Sequence, residues 1–266
     1  MGAIGLSPSS LGLFVNCPRC FWLDKNRKIR QPEGIKASLP KGMDAVMKAY
    51  VDGLVAAGQP IPWLDGLPGA TPLKDRVKLK KFMSWTSFQT PEMTVDGVSF
   101  KLWGNVDDVI EHPGGSVTPW DFKTKGTEPD EAYGKKYYQA QLDIYHALLM
   151  AQGLICTGKG VLSYGWPVAI KADLTMKWGW KNLTMDTDPA RAVALAAAAA
   201  KCVAGPKPLP GFSLYDGKPC GFCSYATARQ NEAVGDGAGP GAGLGYERTV
   251  EKTTVIPLKK PARKSK

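Results

Sequence analysis

Histidine is scarce in this chain: His112 and His146 are the only two in 266 residues. No apolar run is long enough to cross a bilayer. Gly2-Ala3-Ile4-Gly5-Leu6 is too short for a signal peptide and lacks a charged start. The expectation is a soluble, cytoplasmic protein with no membrane partner. There is no phosphate-binding glycine loop of the nucleotide-hydrolase kind and no helicase motor, which excludes an ATP-driven engine. There is no internal repeat, which excludes a solenoid. Acidic residues are also in deficit, 24 against 34 basic ones, for a net charge of +10. That excess favours a polyanionic partner through counterion release.

The charge is uneven. Residues 246–266 carry seven Lys or Arg against two Glu, half of the net excess. The segment before them, 233–245, is rich in Gly, Ala and Pro and without periodicity, so it reads as a linker. The expected organisation is one domain over 1–232, the linker, and a disordered basic tail. The tail either raises non-specific DNA affinity or only solubilises.

Ser7-Pro8 and Asp188-Pro189 each offer an N-cap followed by a first-turn proline. The first opens a helix, and the second opens the alanine-rich run Arg191 to Ala204, which Gly205-Pro206 ends. Lys41 to Ala57 reads as a helix with Met43, Val46, Met47, Tyr50, Val51 and Leu54 on one side. Pro60 to Pro72 reads as a surface loop. Leu174 to Met185 is extended, and its Trp178 and Trp180 either pack on a sheet or stack bases.

The most informative stretch lies at the centre. Val98 to Trp103 alternates apolar and polar residues, as a strand with one buried face does. Gly104-Asn105 interrupts it with a bulge or bend. Val106 to Glu111 and Val117 to Lys123 then read as a hairpin turning at Pro113-Gly114-Gly115, which brings Asp107 near Asp121. Side chains at i and i+2 share a strand face, so Asp121 and Lys123 project together and Phe122 points away. An aspartate there can bind a metal while the lysine reaches an attacking water or a scissile phosphate. The same spacing also occurs on plain solvated strands. Asp107-Asp108 in an apolar setting is costly to bury without a cation. Glu131 to Gln152 reads as one helix, with Tyr138, Gln141, Leu142, Tyr145, Leu148 and Leu149 at three- and four-residue spacing and Gly153 as its stop. Gln141 and Tyr145 lie one above the other, either under a loop at the core edge or facing the metal site.

Six cysteines complete the inventory. Cys17-Pro18-Arg19-Cys20 and Cys220-Gly221-Phe222-Cys223 together make a potential four-thiolate site, which suits zinc or an iron–sulfur cluster. A reducing cytosol disfavours disulfides. Neither pair follows a strand in a β-α-β unit, as a thioredoxin-type dithiol would. Cys156 and Cys202 stand alone in apolar surroundings and read as buried thiols.

Taken in order, these motifs resemble the RecB-like branch of the PD-(D/E)XK nuclease superfamily. Leu6 to Leu11 with Cys17 to Trp22 is similar to that branch's opening helix and first cysteine. Gly104 to Asp107 matches its G-x-x-D signature, Asp121 to Lys123 its D-x-K, and Gln141 to Tyr145 its Q-x-x-x-Y. The resemblance spans about residues 6 to 225. It implies an α/β fold: a central mixed β-sheet flanked by helices, restriction-endonuclease-like, whose two ends are clasped by the four cysteines. It implies a Mg2+- or Mn2+-dependent deoxyribonuclease, exonuclease or endonuclease, with a 4Fe-4S cluster or Zn2+ on Cys17, Cys20, Cys220 and Cys223. The metal ligands would be Asp107, Asp121 and the backbone carbonyl of Phe122, with Lys123, Gln141 and Tyr145 catalytic beside them. Relatives act in recombinational repair and in CRISPR spacer acquisition, so DNA, single-stranded or with free ends, and proteins of a DNA-processing complex are the implied partners. Two features depart from the branch. Its helical histidine is absent, and Asp44 of Lys41-Gly42-Met43-Asp44 is the nearest counterpart as an outer ligand. The cysteines fall two and two rather than one and three. The same residues also suit a catalytically inactive nucleic-acid-binding subunit, or a zinc-stapled scaffold without a DNA role.

Overall fold

In the computed structural model, residues 2–32, 38–209 and 211–235 are described. The chain divides into two units, Met1–Ala226 and Thr227–Lys266. The expected basic tail, and all of the expected linker beyond Gly235, lie outside the described residues. Among these residues no helix is long and apolar enough to cross a membrane.

Two sheets form the first unit. The smaller has the order β1-β4-β3, from Ile4–Leu6 (β1), Met93–Val95 (β3) and Val98–Leu102 (β4). The larger has the order β2-β5-β6-β7-β8, from Thr71–Pro72 (β2), Asp108–Glu111 (β5), Val117–Thr124 (β6), Lys159–Ile170 (β7) and Met176–Asp186 (β8). Both mix parallel and antiparallel pairs, β1 with β4 and β6 with β7 being parallel. The expected mixed sheet is thus present but split. The Gly104-Asn105 interruption is not a bulge within one ribbon; it is where the chain leaves one sheet for the other.

Helices α1 (Pro8–Asn16), α2 (Pro18–Arg27), α5 (Glu131–Ala151) and α6 (Pro189–Ala204) surround one core. Ser7 caps α1 in a reciprocal box with Ser10, and Asp188 caps α6 through the N–H of Ala190. The α5 helix, capped by Asp130, is the crossover that a parallel β6–β7 pair requires. Its buried Asp143 takes two 2.9 Å bonds from the Arg191 guanidinium, which fastens α5 to α6. The α6 alanines Ala196, Ala199 and Ala200 are fully buried, so that run is packing, as its composition implies.

On the other side of the larger sheet, α3 (Ser38–Ala56) and a 3-10 turn at Pro62–Leu64 cover a second cluster of Met47, Val51, Ile61, Leu64, Ile110, Trp120, Phe122 and Val161. Two expectations change here. Val46 and Tyr50 are exposed, so the apolar face of α3 is narrower than its periodicity suggests. The proline-rich loop 60–72 supplies buried Ile61 and Leu64, because an exposed aromatic and aliphatic sheet face would otherwise meet water. The short helix α4 (Arg76–Phe82) and the longer α7 (Gly221–Gly235) complete the elements among the described residues.

Candidate active site

The β6 strand is buried on both faces from Val117 to Phe122. Its side chains alternate as expected. Trp120 and Phe122 enter the α3 cluster, while Asp121 and Lys123 turn into a solvent-open pocket of about 470 Å3. That pocket is also lined by Asp44 and Lys48 from α3, Asn105 and Asp107 from the inter-sheet crossing, and Tyr138, Gln141 and Tyr145 from α5. Asp44, Asp107, Asp121, Lys123, Gln141 and Tyr145 therefore reach one cavity.

The internal geometry is specific. Asp121, only 1% exposed, accepts a 3.0 Å hydrogen bond at Oδ1 from the Gln141 amide, which also donates to the Tyr145 hydroxyl at 2.7 Å. Gln141 thus fastens to the Asp121 carboxylate. Lys123 Nζ contacts Asp121 Oδ2 and lies 5.0 Å above the Tyr138 ring. Asp121 Oδ2 is buried, and the Lys123 ammonium is the group that faces it. Asp107 is held from both ends: its Oδ2 accepts the Phe122 N–H at 3.0 Å and its Oδ1 meets Lys48 Nζ at 2.7 Å.

Burial raises the Asp121 carboxyl well above its ordinary range, against the pull of Lys123 and with a further push from Asp107. For Lys123 burial works downward, but the two carboxylates outweigh it and its pKa is raised. Burial pushes Tyr145 far up, so it serves as a neutral hydroxyl. The G-x-x-D glycine has a packing reason. A Cβ on Gly104 would come 3.1 Å from Leu148 Cδ1 and 3.4 Å from Tyr145 Cε1, so a side chain there would push α5 away from the crossing.

Asp44 reaches the pocket, but joined to Asp107 through Lys48, whose ammonium lies 2.8 Å from Asp44 and 2.7 Å from Asp107. Lys48 and Tyr138 are the residues that sequence reasoning missed. Lys48 stands four residues after Asp44, an ion-pair spacing on one helix face that was there to be read. Asp108, the second acid of its pair, faces away from the pocket. It is buried and receives Arg76 Nη1 at 3.2 and 3.0 Å, while Arg76 Nη2 contacts Asp52. Burial pushes Asp108 up to about 6 despite Arg76. The cation that an Asp-Asp pair demands is thus supplied twice by side chains, Lys48 for Asp107 and Arg76 for Asp108. Truncating one partner of a buried pair strands the other charge, so Arg76→Leu is expected to cost about 3 kcal/mol in urea unfolding. Unchanged stability would show that water already solvates Asp108.

The cysteines converge as expected. Cys17 and Cys20 flank the start of α2, Cys220 and Cys223 the start of α7. The Sγ–Sγ separations are 3.6 Å for Cys17–Cys223 and 3.8 Å for both Cys20–Cys220 and Cys20–Cys223. Among the described residues, these four are the only metal-ligating group of three or more whose donor atoms all lie within 4.8 Å of one another. Gly211 completes the nest: a Cβ there would fall 2.2 Å from Cys17 Sγ. Cys156 and Cys202 do not join, and they are half-buried rather than sealed in the core. Each lies near a backbone carbonyl, of His146 and Pro18 respectively.

Comparison with curated proteins finds no match. Among solved structures, one titled "Crystal structure of SSO0001" is 20% identical, with a TM-score of 0.35, over 75% of this chain and 76% of that one. A family profile, that of the PD-(D/E)XK nuclease superfamily, matches residues 5–228. That range holds the split sheet, the whole pocket and all four clustered cysteines, and over it this chain belongs to the PD-(D/E)XK nuclease superfamily.

Proposed function

We propose that the protein is a divalent-metal-dependent deoxyribonuclease, with Asp107 and Asp121 as its carboxylate metal ligands and Lys123 as its catalytic cation. The observation that carries this reading is the meeting of those three groups in one pocket open to solvent. The donor set fits Mg2+ or Mn2+: oxygen ligands from one or two carboxylates, with room for waters and substrate phosphate. The buried Asp121 Oδ2, which faces the Lys123 ammonium, keeps a lone pair for such an ion. The Phe122 carbonyl and Asp44 are proposed as further oxygen donors, Asp44 only as an outer one. A bound ion supplies an activated water and offsets charge on the phosphate.

The chain's own groups do the rest. Gln141 fixes the rotation of the Asp121 carboxylate, and the Tyr145 hydroxyl fixes Gln141. Lys123 holds a positive charge beside Asp121, where it can orient the attacking water and the scissile phosphate. Lys48 neutralises Asp107 from the opposite wall. Catalysis is then mainly positioning and preorganised charge. The preferred substrate is DNA with a single strand or free ends, a chemistry that suits repair, recombination, phage or CRISPR-related processing and partners in such complexes. Incubation of the purified protein with linear single-stranded and duplex DNA should give cleavage with MgCl2 or MnCl2 and none with EDTA. Binding without any cutting would instead identify the non-catalytic subunit, and neither binding nor cutting would identify the scaffold.

For the cysteines, the sulfur spacing favours one tetrahedral ion. A zinc–sulfur bond of about 2.3 Å sets ligand sulfurs about 3.8 Å apart at the corners of a tetrahedron. A four-iron cluster interposes its own irons between the thiolates and needs a wider nest. Structural zinc is accordingly our reading of this site, ahead of the iron–sulfur cluster that the resemblance implies.

A further inference from the structure

On the far side of the D-x-K strand from Asp121 and Lys123, an aromatic cluster reaches the surface. Trp63 packs edge-on against Phe122, with ring centroids 5.8 Å apart, and against Trp120 at 6.4 Å. Outward from Trp63 stand Trp180 of β8, at 4.4 Å and 31°, and Tyr50 of α3, at 5.6 Å. Trp180 is 37% exposed and Tyr50 49% exposed. Phe122 connects this cluster to the pocket, which it also lines. Met47, a member of the buried cluster beneath these rings, lines the same pocket.

The cluster is held rigidly, although Trp63 lies in a loop. Trp120 donates to Ser163 at 2.7 Å, Ser163 to Asn182 at 2.6 Å, and Asn182 to the Trp63 carbonyl at 2.5 Å. This relay ties the loop to the centre of the sheet. Trp180 lies across Gly165 of the neighbouring strand, so its ring is braced from beneath. Neither exposed ring belongs to the buried cluster of Met47, Val51, Ile61 and Leu64. Part-exposed aromatics that connect through Phe122 to the proposed catalytic pocket, on a chain of net charge +10, have the composition of a stacking surface for unpaired bases.

We propose that Trp180 and Tyr50, backed by Trp63, form a platform on which unpaired bases of the substrate strand stack as the strand runs to the catalytic pocket. This rests on the nucleic-acid reading above and narrows it to substrates with unstacked bases. A blunt duplex, whose bases are stacked on each other, offers the platform nothing.

The test uses the full chain carrying Asp121→Asn, so that binding is read without cutting. Two probes of equal length and charge are compared by anisotropy: a thymidine oligonucleotide and one built of abasic deoxyribose units. Trp180→Ala should weaken binding to the thymidine strand by at least about fivefold, leave the abasic strand unchanged, and leave the salt dependence unchanged, because bases rather than phosphates are released. Trp180→Phe should recover most of the loss. Tyr50→Ala, at an exposed position, should reproduce the pattern in case Trp180→Ala does not fold. Equal affinity for the thymidine strand in both variants, or the same loss on both probes, overturns the platform. Wild-type protein that binds neither probe overturns the platform and the nucleic-acid reading together. Base-dependent binding through Trp180 in a wild-type protein that never cuts would sink only the catalytic reading.

Discussion

Lys123→Ala lowers DNA cleavage by about 10³-fold or more, while the protein remains folded; this is the largest single effect expected on activity. The ammonium is paired with Asp121 inside the pocket and is placed by the strand rather than by a loop. Lys48 faces Asp107 from α3 and is itself engaged. Asp121→Asn should give a loss of the same order, and the double variant little more, because groups acting on one transition state are not additive. Folding should respond differently from activity. An amide there removes the desolvation of the carboxylate but leaves the buried Lys123 ammonium with Asp107 as its remaining counter-charge, so the variant should still fold with a moderately lowered unfolding temperature. Single-turnover cleavage and thermal unfolding, measured on the same preparations, check both halves. Cleavage retained by Lys123→Ala would remove the D-x-K strand from the mechanism.

Cys20→Ser is expected to have the largest effect on stability. The four thiolates join α2, at one end of the chain, to the start of α7, some 200 residues later. Closing so long a loop through a metal contributes folding free energy directly. Purified wild-type protein should contain one zinc per chain by elemental analysis. Cys20→Ser and Gly211→Ala should each lose it, the second because its methyl group would occupy the space of Cys17 Sγ. The apolar clusters around β6 contain none of these cysteines, so the damage should be local. Residues 211–226 should become sensitive to protease, with a stability loss of several kcal/mol, while the sheet stays protected. Full zinc content and full protection in Cys20→Ser would show that the sulfurs are merely adjacent. Brown protein absorbing near ~400 nm, with iron and sulfide in place of zinc, would restore the cluster.

Much of the site was legible before any coordinates. The alternation of β6 placed Asp121 and Lys123 on one face, and the helical period of α5 placed Gln141 over Tyr145. Both patterns are local and depend only on backbone geometry. What Gln141 touches was not legible. The period shows which side of the helix carries an amide, but its partner, Asp121 Oδ1, is fixed by how α5 lies against the sheet. Lys48 was overlooked for a related reason. A lysine on an amphipathic helix is ordinarily solvated, and only the approach of Asp107 from the inter-sheet crossing makes it part of a site. The loop around Trp63 read as surface because proline and glycine dominate it; the exposed face of Trp120 and Phe122 draws it inward.

The amino-acid order by itself determined the Ser7 and Asp188 caps, the helix that starts at Glu131, the two Cys-x-x-Cys pairs and the shared face of Asp121 and Lys123, since each follows from spacing along a regular backbone. Tertiary structure alone decided that the acidic pair divides between two cations, Lys48 for Asp107 and Arg76 for Asp108. It also decided that the sheet splits at Gly104 and that the sulfurs stand close enough for a single ion. Those outcomes depend on distances between elements far apart in the chain. Packing sets such distances, balancing burial of apolar faces against the cost of leaving any charge alone.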